Sequence, residues 1–145
     1  MTDEYERLYG SFISGLAKER KVVVDRSTRT GILGLDLALG GPLPAGATEI
    51  YGEASTGKTT LLYEIMSTAQ KDGMMVALCP SEYLDIPYMR KFGMDLNSLI
   101  LIMGGSGEGV LAAACDTVHK WRDGNLLLAI DSATGLRPEV DEYAN

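Results

Sequence analysis

Gly52-Glu53-Ala54-Ser55-Thr56-Gly57-Lys58-Thr59 is the stretch from which the rest of the chain can be read. It fits the pattern G-x-x-x-x-G-K-[ST], and it stands where such a loop has to stand. An apolar run over residues 47–51 precedes it as a predicted strand, and a helical pattern opens near Lys58. The glycines let the backbone curl so that successive N–H groups point at phosphate oxygens. The positive end of the following helix is directed at the same place. In that arrangement Lys58 reaches the β- and γ-phosphates of a nucleotide, and the Thr59 hydroxyl ligates magnesium. The segment from Gly52 to Thr60 is therefore the expected seat of ATP with Mg2+.

Outward from this loop, short apolar runs alternate with helical patterns. Residues 74–79, 99–103 and 126–130 read as buried strands, in addition to 47–51. Residues 58–72 read as a helix with Leu61, Leu62, Ile65, Met66 and Ala69 on one face and Gly73 as its stop. Further helices are expected over 87–92 and about 108–122. Strands separated by helices pair in parallel through right-handed crossovers. The expected fold class is α/β, a mainly parallel sheet with helices on both faces.

Two acids fall at predicted strand ends. The run Leu126-Leu127-Leu128-Ala129-Ile130 closes on Asp131, which sets a carboxylate at the carboxyl edge of the sheet, where open α/β sheets bind ligands. Downstream of the loop this is the Walker-B arrangement, with Asp131 holding magnesium mostly through water; on its own, a strand ending in Asp is only a turn. Pro80-Ser81-Glu82 follows the strand at 74–79. Glu82 there is either the group that polarises a water for attack on the γ-phosphate or a surface loop residue.

The bulk composition agrees with a folded domain. The chain has 145 residues, 46% hydrophobic and 23% charged, a length sufficient for one core. No apolar run approaches the roughly 20 residues of a membrane span. The acidic opening (Asp3, Glu4, Glu6) is unlike a signal peptide, so a cytoplasmic protein without membrane contact is expected. A net charge of −7 argues against a general nucleic-acid coat, although five basic residues cluster between Lys18 and Arg29. Cys79 and Cys115 match no metal or redox spacing and are expected to be buried thiols.

The first 20 residues carry Tyr5, Leu8, Tyr9, Phe12, Ile13 and Leu16 at spacings of three and four, the pattern of an amphipathic helix. Val22-Val23-Val24 then has the residue types of a short strand. The expected division is an N-terminal helix and linker strand over 1–25 and a nucleotide-binding core over 26–145. The helix stripe either folds back on its own core or joins another copy.

Several stretches together resemble the RecA recombinase family. Thr30-Gly31-Ile32-Leu33-Gly34-Leu35-Asp36-Leu37-Ala38-Leu39-Gly40-Gly41 is similar to the family's lead into its loop strand, and Glu49-Ile50-Tyr51-Gly52 continues the match. Residues 84–95, Leu84 through Asp95, resemble a stretch particular to these recombinases. Ile130-Asp131-Ser132 with Leu136, Arg137, Pro138 and Glu139 resembles the family's Walker-B exit. The resemblance implies that Tyr88 stacks on adenine and that Asp85 lies near the base's amino group. It places the catalytic acid at Glu82 only with a one-residue deletion near Ile86-Pro87; strict counting lands on Ser81, which cannot act as a base.

The resemblance also implies an ATPase that forms homo-oligomeric filaments on single-stranded DNA through the N-terminal helix and exchanges strands. The family's second DNA-binding loop, its sensor glutamine and its trans-acting cations correspond to positions later than Asn145. The expectation is thus the ATP-binding portion of that core, cut after Walker B, with DNA binding and turnover by this chain alone weak or absent. Two alternatives stand beside it. One is a nucleotide-binding or assembly module without turnover, completed by a partner chain. The other is a different ATPase of the same fold, helicase or regulatory.

Overall fold

Met75-Val76-Ala77-Leu78-Cys79-Pro80 forms β1, and its four central side chains are wholly buried. A parallel strand covered on both faces must read as a continuous apolar run, and this one does. In the computed structural model, which describes residues 27–121 and 125–139, β1 is the middle of a three-stranded parallel sheet. On one side lies the two-residue β2 (Ile100–Leu101), with Ala77 opposite Ile100. On the other lies β3 (Leu126–Asp131), in register from Met75 opposite Leu126 to Pro80 opposite Asp131.

The alternation of side chains along β1 divides the core in two. Val76 and Leu78 pack with Tyr63, Met66 and Ala69 of helix Lys58–Lys71 and with Met89 of helix Ile86–Lys91. Ala77 and Cys79 face the other way, against Val110 and Ala114 of helix Gly107–Lys120. Helices therefore cover both faces, as the alternating sequence pattern requires. We number the helices α1 (Leu33–Leu39), α2 (Lys58–Lys71), α3 (Ile86–Lys91) and α4 (Gly107–Lys120).

Local chemistry fixes where these helices start and stop. Ser106 caps α4 by accepting from the Gly109 N–H at 3.2 Å. Just past α2, Gly73 takes φ +81°, and the Gly73 and Met74 N–H groups return to the Gln70 and Ala69 carbonyls. The far end of α2 is tied to the segment after α3. Ser67 donates to the Phe92 carbonyl at 2.6 Å, and the Gln70 amide exchanges two 2.9 Å bonds with the Asp95 backbone. These ties hold α3 and the lead into β2 over the same helix that the glycine-rich loop opens.

The structure departs from the sequence reading in three places. Residues 47–51 are irregular backbone, not a strand. Their β-forming side chains find no ladder among the described residues, and strand propensity without a paired neighbour does not suffice. Leu33–Leu39 forms a helix that no apolar periodicity announced. It closes at Gly40 with φ +79°, and it buries none of its own residues; Leu33 is 74% and Leu37 72% exposed. Cys79 is buried as expected, but Cys115 is exposed. One residue on from inward-facing Ala114, it is turned about 100° around α4 and off the sheet. The expected N-terminal helix, with the strand after it, lies outside the described residues.

Candidate functional site

The loop between Gly52 and Thr59 is held by its own backbone rather than by burial. Gly57 caps α2 in the left-handed region (φ +91°), a conformation that costs glycine nothing and a side chain something. Ser55 adopts φ +61° without being glycine, a sparsely populated state of the kind that recurs at ligand clamps. Within the loop the Thr56 hydroxyl donates to the Glu53 carbonyl at 2.8 Å. The Lys58 ammonium donates to the Gly52 and Glu53 carbonyls at 3.0 and 2.7 Å. The lysine is thus folded over its own loop, at the open end of α2.

The first turn of α2 contains no acidic residue, so no carboxylate of its own competes for the N–H groups there. A cleft of about 470 Å3 opens alongside, with Ile50, Thr56, Lys58, Thr60, Leu61 and Phe92 among its lining. These features fit a triphosphate: a helix N-terminus with no acid in its first turn, a lysine ammonium over the loop and a glycine-shaped backbone.

Asp131 ends β3 beside Pro80, which ends β1, so the two strands deliver their exits to one edge of the sheet. The exits are clamped together by Ser81. Its N–H donates to the Asp131 carbonyl at 2.8 Å, its hydroxyl donates to the Ser132 carbonyl at 2.8 Å, and that hydroxyl accepts from the Ser132 N–H at 2.6 Å. Gly135 sits so close to this clamp that a Cβ there would meet the Ser81 Oγ at 2.2 Å. The peptide between Asp131 and Ser132 is cis. Glu82, the next residue, is exposed on the loop that leads to α3.

Tyr88 lies on α3 with its ring half-buried against Phe92 (centroids 5.1 Å apart, nearly perpendicular) and Tyr63 (6.1 Å). Its hydroxyl is 2.9 Å from the hydroxyl of Thr60, which brings this aromatic to the loop end of α2. One oxygen of Asp85 accepts from the Tyr88 N–H at 2.9 Å, capping α3. Burial pushes the Tyr63 phenol above its ordinary pKa, and the nearby charges of Asp131 and Asp85 add to the rise.

Of the residues singled out from sequence, the structure brings together Thr60 and Tyr88, Asp85 and Tyr88, and Lys58 with Gly52 and Glu53. Thr59 follows Lys58 in the first turn of α2, while Asp131 and Glu82 belong to the sheet edge. Among the described residues, no group of three His, Cys, Asp or Glu side chains forms a ready-made metal cluster. Sequence reasoning missed the Ser81 clamp and the buried position of Tyr63. The clamp leaves no local signal, since its halves are 51 residues apart. Tyr63 was findable, because it precedes Met66 of the α2 stripe by three residues.

The fold is thus of the α/β class, a parallel sheet with a glycine-rich loop opening one covering helix and an acid closing β3. Within that class the model of the RecA N-terminal domain matches residues 2–143, and the chain belongs to the RecA family. It is 41% identical over 143 residues to "Protein RecA" of Parvibaculum lavamentivorans and equally to that of Mesorhizobium japonicum. In both cases 95% of this chain and 38% of the relative are covered. Against "Protein RecA" of Rhizobium leguminosarum bv. viciae the identity is 39% over 142 residues, covering 95% of this chain and 40% of the relative. The chain thus spans about two fifths of the relatives' length. Among the described residues no helix is long and apolar enough to cross a membrane.

Proposed function

We propose that this chain is the ATP-binding portion of a RecA-like recombination and repair ATPase. The observation that carries the reading is the loop itself. It combines a left-handed Gly57 at the helix cap, a helix N-terminus without acids and a Lys58 ammonium folded over the loop carbonyls. In this reading residues 26–145 form the core. The N–H groups from Ala54 to Thr60 cradle phosphate, Lys58 moves from its carbonyls to the β- and γ-oxygens, and Thr59 with Asp131 holds magnesium. Bound magnesium would neutralise charge on the phosphates.

Tyr88 offers a ring for adenine, in reach of the loop through Thr60. Asp85, with one oxygen engaged at the α3 cap, has its second oxygen for the base's amino group. Ser81 is occupied in the strand clamp, which favours exposed Glu82 as the residue that orients the attacking water. The intact protein would assemble into a homo-oligomeric filament on single-stranded DNA. The amphipathic stripe from Tyr5 to Leu16 is the proposed contact between copies.

Calorimetry with ATP and magnesium tests the reading. The chain should bind, and Lys58→Ala should lose about 1.5–3 kcal/mol, the worth of a charge-assisted hydrogen-bond set. Equal affinity of the two proteins would sink it. Hydrolysis measured separately distinguishes an ATPase from a module that binds without turnover.

A further inference from the structure

We infer that the Thr60 side chain is a positioning group for the base, whatever its backbone N–H does for phosphate: its hydroxyl latches Tyr88 in the orientation that receives adenine. This rests on the proposed seating of ATP. Thr60 is the third residue of α2 and exposed, so nothing in core packing calls for a hydroxyl there. Its Oγ1 nevertheless lies 2.9 Å from the Tyr88 hydroxyl, across 28 residues of sequence.

The other contacts of Tyr88 leave its outer end to this bond. The ring leans on Phe92 and Tyr63, and the Lys91 ammonium stands 5.8 Å from the ring centroid. Met89 is wholly buried beneath α3, and Asp85 fixes the α3 backbone at the Tyr88 N–H. The hydrogen bonds from α2 to the segment after α3, through Ser67, Gln70 and Lys71, lie at the far end of α2. Apolar contacts alone allow an aromatic ring to slide and tilt. A hydrogen bond at the para position fixes where the ring plane stands relative to the loop. The bond thereby couples the aromatic platform to the helix turn that follows Lys58 and Thr59, and a base would meet a ring already set in place.

The test compares magnesium–ATP with magnesium–tripolyphosphate, which has the phosphates without the base, as ligands of the full chain. Four variants are used. Thr60→Val deletes the hydroxyl at nearly constant shape, Thr60→Ser keeps it, Tyr88→Phe deletes the phenol hydroxyl but keeps the ring, and the fourth combines Thr60→Val with Tyr88→Phe. Thr60→Val and Tyr88→Phe should each weaken ATP about three- to tenfold. The double variant should be no weaker than either single one, Thr60→Ser should restore wild-type affinity, and the loss should fall on ATP and not on tripolyphosphate. If Thr60→Val weakens tripolyphosphate as much as ATP, the Thr60 hydroxyl serves phosphate and the latch is wrong. Additive losses in the double variant, or wild-type ATP binding by Thr60→Val, would overturn it equally. If the wild-type chain binds both ligands alike, the seating of adenine on Tyr88 fails first and takes the latch with it. A preference for ATP that is kept in Thr60→Val overturns the latch alone.

Discussion

The two halves of α2 are built on opposite principles. From Ile65 to Ala69 every residue is buried, and the helix is held by packing on β1, with Met66 against Val76 and Leu78. From Lys58 to Thr60 the same helix faces outward and is held by an inward-turned lysine, a left-handed glycine before it and one hydroxyl bond to Tyr88. One helix thus has a structural end and a chemical end. Substitutions in the first should change folding and leave the shape of the loop alone. Substitutions in the second should change binding at little cost in stability.

The largest effect is expected at the packed end. Leu78 is wholly buried in the middle of β1. Leu78→Ala should lower unfolding free energy in urea by about 2–5 kcal/mol through lost burial and the cavity left behind. A loss under about 1 kcal/mol would mean that the sheet is not the stabilising centre.

A pair of glycines sharpens the comparison. Gly31 and Gly57 both stand in the left-handed region, at φ +83° and +91°. A Cβ on Gly31 would meet the Thr68 Oγ1 at 2.2 Å, whereas a Cβ on Gly57 would meet nothing within 4 Å. Gly31→Ala should therefore cost stability by strain, about 1–2 kcal/mol, and by overpacking, about 1–3 kcal/mol more. Gly57→Ala should cost only the backbone term, about 1–2 kcal/mol, and should show its main effect on nucleotide affinity. Urea denaturation beside ATP calorimetry reads both; equal profiles for the two variants would erase the distinction.

The same division explains what the sequence made legible. β1, β3, α2 and α4 were readable because burial on one or two faces imposes a periodicity, and the buried end of α2 carries it plainly through Ile65, Met66 and Ala69. The loop was readable for another reason: its chemistry is contiguous, with glycines, lysine and threonine adjacent in the chain. Where neither condition held, the reading missed. Residues 47–51 have strand-forming side chains but no ladder among the described residues. Helix α1 buries nothing, so it has no stripe to detect. The Ser81–Ser132 clamp and the Thr60–Tyr88 bond join residues 51 and 28 positions apart. Polar pairs at such distances carry no periodic signature, and only the fold brings them into contact.

The smallest effect concerns charge at the sheet edge. Burial first, then Asp131 and Asp85, hold the Tyr63 phenol above its ordinary pKa. A group with a raised folded pKa contributes its stability below the unfolded value and loses it as pH rises through the folded one. Asp131→Asn removes one negative neighbour, so Tyr63 should ionise at lower pH in the folded protein; the gap to its unfolded pKa narrows, less stability is lost on ionisation, and the alkaline limit of stability should move up slightly. The ring-carbon shift of labelled Tyr63 followed over alkaline pH reads this directly. An unmoved titration would mean that Asp131 does not act on Tyr63.

The most direct test of the account follows the backbone amides by NMR as magnesium–ATP is added to the full chain. Saturable shifts are predicted at Gly57, Lys58, Thr59 and Thr60 and at Tyr88 across the latch, while Val76, Ala77 and Leu78 in the packed sheet stay in place. Shifts confined to α4, or none in the loop at saturating ATP, would contradict the claim that the outward end of α2 is where this protein holds its nucleotide.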